Sequence, residues 1–552
     1  MDTILGFFHQ GFSVIVPFVV LLGVLIFVHE LGHFSVAKFF GVRVEVFSLG
    51  FGRKIFSKKV GDTTYALSMI PFGGYVKMYG DDASADIPES QKKYSFSHQP
   101  VLPRIAIVLA GPLMNAIFAF FLFTAIAGIG EEVLKPKLGE INSHTEAYKD
   151  GFRTGDIIKT VNGTPVIKFE NFKKIVEEGL SKDLNVVVSR DGSDIPVHAV
   201  AKTVVNKNVL NSATHIGEID GLTYLSRASA IGISDPLSPA ASSGLRTGDI
   251  IRKINGTEVT KWDEVESKLA EASHNGLSEV ALEVERDGNV AKLLQIHLPL
   301  TDKEARGGIE PSDLYLSSIV PKSAAQEAGI EVGDKLVAIN DQHLERWEDV
   351  VRLVQGFQPG VGAGSLKVDF LHSGKLKTVS VTPRLLSQTD SVGAEQKNYA
   401  LGVVTGLAYA NPETFFAREP GFGNMVKAGF SDTVHWTKLT AQSFVALVQR
   451  KVSAKSLGGP LMIGKLASET WKIGISPFLK IMGIISINLF LLNLMPIPVL
   501  DGGHLLFFGI EFVKGSPLSF RKMEVMQQVG MFLLLALMAF SMFNDIVRFF
   551  TS

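Results

Sequence analysis

The chain contains no cysteine in 552 residues. Disulfide frameworks, thiolate metal sites and cysteine nucleophiles are therefore excluded, and any metal site has to be built from His and carboxylate ligands. Charge of either sign is not in excess: 54 Lys and Arg stand against 55 Asp and Glu, a net charge of −1. A nucleic-acid binder carries a basic surplus or a basic face, so no nucleic-acid partner is expected. Charged residues make up only 20% of the chain, against 46% hydrophobic. At about 150 residues per domain the length implies three or four units. Some tracts must suit lipid and others water.

Four apolar runs reach the ~20 residues that a bilayer span requires: residues 11–40, 105–130, about 477–513 and 529–551. The first lacks a basic stretch before it and holds His29, Glu30 and His33 within it, so it reads as a span and not as a cleavable leader. Residues 41–104 carry nine Lys and Arg, and the loop between the last two runs holds Lys514, Arg521 and Lys522. The positive-inside rule puts both loops in the cytoplasm, with both termini and the long middle segment outside. The third run is broken. Its unbroken part, Ile481 to Met495, rises only ~22 Å as a helix. Pro496 to Gly503 (PIPVLDGG) then interrupts it. Irregular backbone at membrane depth is tolerated where protein or water covers it, and such breaks tend to mark sites.

Between the spans one pattern occurs three times. FRTGDIIKTVNG (152–163), LRTGDIIRKING (245–256) and IEVGDKLVAIND (330–341) align without gaps. An aromatic follows seven residues after each aligned Asn: Phe169, Trp262 and Trp347. Each repeat then reads as a helix and an alternating strand that ends in a turn. The repeats resemble PDZ domains of bacterial proteases. Such domains add an extended peptide as a strand and hold its C-terminal carboxylate in backbone N–H groups. Peptide C-termini are the partners this implies, with Ile231-Gly232-Ile233 as the candidate carboxylate loop.

His29-Glu30-Leu31-Gly32-His33 is an H-E-x-x-H motif. On a helix the two histidines share a face and each can offer a nitrogen to Zn²⁺, with Glu30 beside them as a base. Chance alone would produce the motif somewhere in this composition with a probability of roughly 1–2%. Inside a lipid-facing helix, however, His and Glu are costly and mark function. Catalytic zinc takes three protein ligands. Of the remaining membrane candidates, Asp545 and Glu511 lie towards the ends of their spans. Asp501 and His504 lie in the broken segment, and both stay open.

Three motifs together, H-E-x-x-H, Gly111-Pro112-x-x-Asn115 and Asn493-x-x-Pro-x-Pro-x-x-x-Asp501-Gly502, resemble the site-2 protease family of intramembrane zinc metalloproteases. With PDZ-like repeats between the second and third spans, the chain is similar to the branch that regulates sigma-E in Gram-negative bacteria. That branch usually has two PDZ domains, and three are read here. The resemblance implies His29, His33 and Asp501 as zinc ligands, Glu30 as general base and Asn493 as a donor to the substrate or its oxyanion. It also implies a hairpin at about 63–80 that re-enters the membrane. Tyr65, Leu67 and Met69 alternate along it, Gly73 and Gly74 turn it, and an edge would receive the unwound substrate. Leu49-Gly50-Phe51-Gly52 resembles the family's membrane-associated Gly-rich loop.

The expected architecture is a polytopic α-helical membrane protein with four transmembrane helices, a membrane-re-entrant β-hairpin and inserted α+β PDZ-like domains. Residues 1–130 form the first membrane half, and 131–206, 222–301 and 312–387 the PDZ-like domains. Residues 388–475 form a linker with an amphipathic surface helix, and 476–552 the second membrane half. The implied function is a zinc endopeptidase of the bacterial inner membrane, its active site towards the cytoplasmic side. It would cut single-span proteins already shortened outside by another protease, among them anti-sigma factors, and signal-peptide remnants. A zinc transporter or a catalytically inactive PDZ scaffold are the alternatives.

Overall fold

A computed structural model describes the chain apart from residues 1, 82–86, 207, 209–212, 289–292, 301–305, 360–363, 390–394, 455–456, 517 and 552. Four helical stretches are long and apolar enough to cross a membrane: Val14–Phe39, Val101–Ile129, Ile475–Leu494 and Arg521–Val547. The chain is a multi-pass membrane protein. The first stretch belongs to α1 (Asp2–Phe39) and the second is α2 (Val101–Ile129). The third helix begins earlier than its apolar run suggested, at Ile475, because Ser476 and Lys480 at its N-terminal end find partners. Ser476 donates to the Gly130 carbonyl, and Lys480 pairs with Glu131 at 2.7 Å. Its 20 residues rise about 30 Å. The interruption follows the helix instead of shortening it.

Leu21, Leu25, Leu122, Phe478 and Met482 pack where these three helices meet. Some polar groups inside the bundle find partners across helices, as buried polar groups tend to. The Ser486 hydroxyl donates to the Asn115 carbonyl at 2.8 Å.

Residues 44–78 form two strands, β1 (Val44–Val60) and β2 (Thr63–Met78). Each bends back on itself. Residues 44–49 pair with 74–78 on one side and with 64–67 on the other, while 54–60 pair with 63–68. Gly50 makes the bend at φ +88, and a Cβ there would stand 2.7 Å from the Ile70 carbonyl. The result is a four-segment sheet instead of the simple hairpin expected. Tyr65 and Leu67 therefore lie in an inner segment with neighbours on both sides. The edge that faces the helices is 74–78.

Each repeat has the same four-stranded sheet order, shown in the first by Thr164–Pro165, Ile157–Val161, Asp183–Arg190 and Ser193–Val200. A helix covers each sheet: α3 (Phe169–Glu177), α4 (Trp262–His274) and α5 (Trp347–Gln355). The shared sequence signature is structural. Asp156, Asp249 and Asp334 are almost fully buried, and each pairs with a strand-end side chain of its own repeat: Arg190, Arg286 and His372. Asn162, Asn255 and Asn340 take positive φ, and each side-chain oxygen accepts a backbone N–H from the next strand.

Arg227 joins the repeats to one another. It donates to Glu140 of the first repeat at 2.6 and 2.9 Å and to Asp313 of the third at 2.9 Å. Arg346 reaches the same Glu140 at 3.2 Å. The array returns to the membrane through a ribbon in which β3 (Glu131–Leu134), continuing from α2, pairs with β4 (Thr414–Ala417). Beside it, Glu413 receives Lys135, Lys137 and Lys261.

The helix expected on the outer surface, α6 (Phe422–Val448), runs lengthwise along the bundle. Gly429 abuts Thr124, Trp436 joins the Ala119–Phe123 cluster, and Thr440 donates to Asn488 at 2.9 Å. A short helix, α7 (Pro460–Ile473), precedes the third span, α8 (Ile475–Leu494). Two helices complete the chain, α9 (Asp501–Lys514) and α10 (Phe520–Thr551).

Candidate metal centre and active site

The H-E-x-x-H spacing puts His29 and His33 one turn apart on α1, their rings edge to face with centroids 4.8 Å apart. Pro496 to Leu500 ends the third span and aims a new helix, α9, at them, with Asp501 as its first residue. Gly502 and Gly503 allow this tight return, because a Cβ on either would run into the backbone of residues 494–498.

Three donor atoms converge. His29 Nε2 and His33 Nε2 are 3.2 Å apart, and they lie 3.2 and 3.5 Å from the two Asp501 oxygens. Two ligands at ~2.05 Å from a tetrahedral zinc are separated by about 3.3 Å, so these spacings fit the ion. His, His and carboxylate also form a donor set that zinc accepts. Among the described residues this is the one such group of three or more.

The helix α2 lies behind the histidines. His33 Nδ1 faces the Ile107 carbonyl at 2.9 Å. A Cβ on Gly111 would overlap the His33 imidazole, so only glycine admits the ring. Asn115, fully buried, has its carboxamide 3.3 Å from His29 Nδ1.

Glu30 lines a cavity of about 540 Å³ with His33, Asp501, His504, Val76 and Arg104. The backbone N–H of Val76, on the edge segment, is turned towards the Glu30 carboxylate. Gly74 in the same segment leaves room for that carboxylate, since a Cβ there would lie 3.0 Å from Glu30 Cγ. Gly73 lies beside the Phe51 ring, further from the donors.

The other membrane ionisables are engaged elsewhere. Glu511 forms a two-pronged pair with Arg104 at 2.6 and 3.2 Å. Asp545 accepts the backbone N–H groups of Gly459, Leu461 and Met462 at the start of α7. His504 faces the cavity, edge-on to Phe507 and tilted towards Phe508. Asp501, not His504, stands with the histidines.

Asn493 sits one residue before the end of α8, half-buried, without a side-chain hydrogen bond among the described residues. Tyr65 packs on Phe34 and Phe47, at 5.9 and 6.0 Å. Met69 is 61% exposed at the far bend. The backbone of Val76 and the Arg104–Glu511 pair are the site neighbours that the sequence reading missed. The alternation of Tyr75, Val76 and Lys77 after Gly73-Gly74 was the signal for the first.

Ile231-Gly232-Ile233 is not an open carboxylate loop. Ile231 and Gly232 pair with Pro311 and Glu310, Gly232 lies against the Tyr315 ring, and the Ile233 N–H donates to Thr247. Open grooves lie instead between a repeat's helix and the strand that closes it. In the first repeat Phe169, Phe172 and Val176 face Ile216 to Ile219 across about 660 Å³. In the third, Trp347, Val350 and Val354 face Leu401 to Val404 across about 270 Å³.

An H-E-x-x-H helix met by a carboxylate inside a bundle of apolar helices defines a membrane-embedded zinc metalloprotease. More narrowly, the profile of peptidase family M50 matches residues 17–537, and the chain belongs to that family. Protease RseP of Yersinia pestis and the regulator of sigma-E protease RseP of Escherichia coli are each 29% identical to it, over 96% of this chain and 98% of theirs. The corresponding protease of Salmonella typhimurium is 30% identical over the same shares. A solved PDZ domain protein from Parabacteroides distasonis covers 49% of this chain and 95% of its own at 10% identity, with a TM-score of 0.14, a superposition too poor to bear on the fold.

Proposed function

We propose that the chain hydrolyses peptide bonds within or beside the transmembrane segment of single-span membrane proteins, with His29, His33 and Asp501 as zinc ligands. The carrying observation is the convergence of those three donors at tetrahedral spacing with Glu30 on the adjoining turn. When bound, zinc supplies a Lewis acid that brings water to a pKa near ~7 and polarises the scissile carbonyl. Glu30 takes the proton from the attacking water and passes it to the leaving amine. Asn493 donates from the end of α8 to the substrate carbonyl as it gains charge.

A transmembrane helix hides its peptide bonds in its own hydrogen bonds, so the substrate has to be unwound first. Residues 74–78 offer the edge for this, paired on one side only and lying next to Glu30. An added strand there is held by backbone hydrogen bonds while it crosses the catalytic group. In this reading the sheet of residues 44–78 re-enters the membrane. Its basic flank faces the cytoplasm, as do the loops that hold Arg104 and Lys514, and the repeats and both termini lie outside. The cavity past His504 and Arg104 gives water a route from the inner side.

The PDZ-like array takes new peptide C-termini in the grooves of the first and third repeats. It favours substrates already shortened outside by another protease, and release of an anti-sigma factor fits the sigma-E regulation in the relatives' names. Zinc transport is not favoured, because Glu511 and Asp545 are engaged and supply no second station. The test is reconstitution in liposomes with a model single-span substrate and mapping of the cut by mass spectrometry. A cut inside the apolar segment supports the reading; cleavage confined to soluble loops overturns it.

A further inference from the structure

Ile107, Gly111 and Asn115 recur every four residues on α2 and therefore form one stripe. It is the stripe against which both imidazoles rest, and it treats the two differently. The Ile107 carbonyl can only accept, so His33 Nδ1 must carry a proton, and in the neutral imidazole its Nε2 keeps a lone pair. Asn115 is ambiguous, because its carboxamide offers an oxygen or a nitrogen in nearly the same shape. As placed, Nδ2 stands 3.3 Å from His29 Nδ1, and Oδ1 is buried without a partner. That orientation makes Nδ1 an acceptor and puts the His29 proton on Nε2, the atom aimed at Asp501 and His33. A protonated Nε2 cannot bind metal.

Resting on the zinc reading above, we propose that Asn115 turns its carboxamide oxygen to His29 Nδ1 and so holds that imidazole as the Nδ1–H tautomer, with Nε2 free for the ion. One amide atom stays without a protein partner in either orientation, so the metal decides between them. Ligating histidines commonly donate their second N–H to an oxygen, which fixes the tautomer and aims the ring. The carbonyl of Asn115 is itself fastened to α8 by Ser486, which fixes the backbone carrying the carboxamide. In this role Gly111 makes room for one imidazole and Asn115, one turn on, orients the other. Asn115 is a positioning residue, acting through His29 without touching substrate.

The test is zinc affinity of the purified full-length protein, measured by competition with a chromophoric chelator. Asn115→Leu keeps the branched outline in a larger side chain and removes the acceptor, and should weaken zinc binding 10- to 100-fold. Asn115→Asp restores an acceptor and should bind within a few-fold of the parent. Two results overturn the assignment: a Leu variant that holds zinc within twofold of the parent, or equal losses in the Leu and Asp variants. Should the Leu variant not fold, the Asp variant decides alone, since retained affinity supports the assignment and a loss of 10-fold or more overturns it. If the parent protein itself binds no zinc, the zinc reading fails, and this assignment with it.

Discussion

Replacing Arg227 by Met should loosen the three repeats from one another. Arg227 places three hydrogen bonds on two carboxylates from different repeats, and its side chain, Glu140 and Asp313 are 12%, 11% and 2% exposed. Removing one partner from a buried pair costs about 3–5 kcal/mol, because the other charge stays behind unpaired. The structure points to the lower end. Glu140 keeps Arg346 at 3.2 Å, and Asp313 keeps the Trp347 N–H at 3.1 Å. A loss of about 3 kcal/mol corresponds to a fall of roughly 6–12 °C in the unfolding temperature of a unit of this size. Fluorescence of the full-length protein in detergent can follow it, because Trp262 is buried in the second repeat and Trp347 lies in the third, at the Asp313 contact. The double variant Glu140→Gln with Arg227→Met should recover part of the loss, since the stranded carboxylate is gone. An unchanged unfolding temperature in Arg227→Met, or strictly additive losses, would refute the reasoning.

Other outcomes follow from the same contacts. The Glu413 carboxyl would be raised by its partial burial, but Lys137 and Lys261 bring it down to about 2. Burial likewise raises the Glu140 carboxyl, but the Arg227 guanidinium outweighs it and holds Glu140 below its ordinary value. Both folded values lie below the ordinary one, so their stabilisation is complete above about pH 4.5 and is lost as pH falls through the folded values, for Glu413 towards about 2; protease sensitivity of the array should rise across that fall. Gly111→Val drives a side chain into the His33 imidazole and should lower zinc content while leaving the repeats' unfolding unchanged. Gly74→Val presses on Glu30, and should cut cleavage at least tenfold while zinc, measured by metal analysis, stays bound. A chelator should abolish cleavage, and zinc should restore it.

The sequence made some of this legible and hid the rest for physical reasons. Helical spacing was enough to pair His29 with His33, but the carboxylate that meets them comes from a helix 468 residues further on. Only the tight return through Gly502 and Gly503 brings Asp501 rather than His504 to the histidines. The repeats announced themselves through Gly-Asp and Asn, residues that proved to cap turns and pair with strand-end arginines or a histidine. The grooves depend on which strand closes each domain, and alignment of those signatures does not carry that, so Ile231-Gly232-Ile233 was misplaced. The sheet of residues 44–78 read as a hairpin because alternation is local. The bend at Gly50 gives each strand two partners, and this moves the free edge from Tyr65 to Val76. Asp545 and Glu511 carried no sequence mark of their partners, which are backbone amides and an arginine far away in the chain.

The most direct test of the central claim is to purify Glu30→Gln and measure zinc and cleavage on the same preparation. Gln fills the same space but cannot take a proton from water. The account requires one zinc per chain, as in the parent, with cleavage of a single-span substrate abolished. Cleavage at the parent rate with zinc still bound would contradict it.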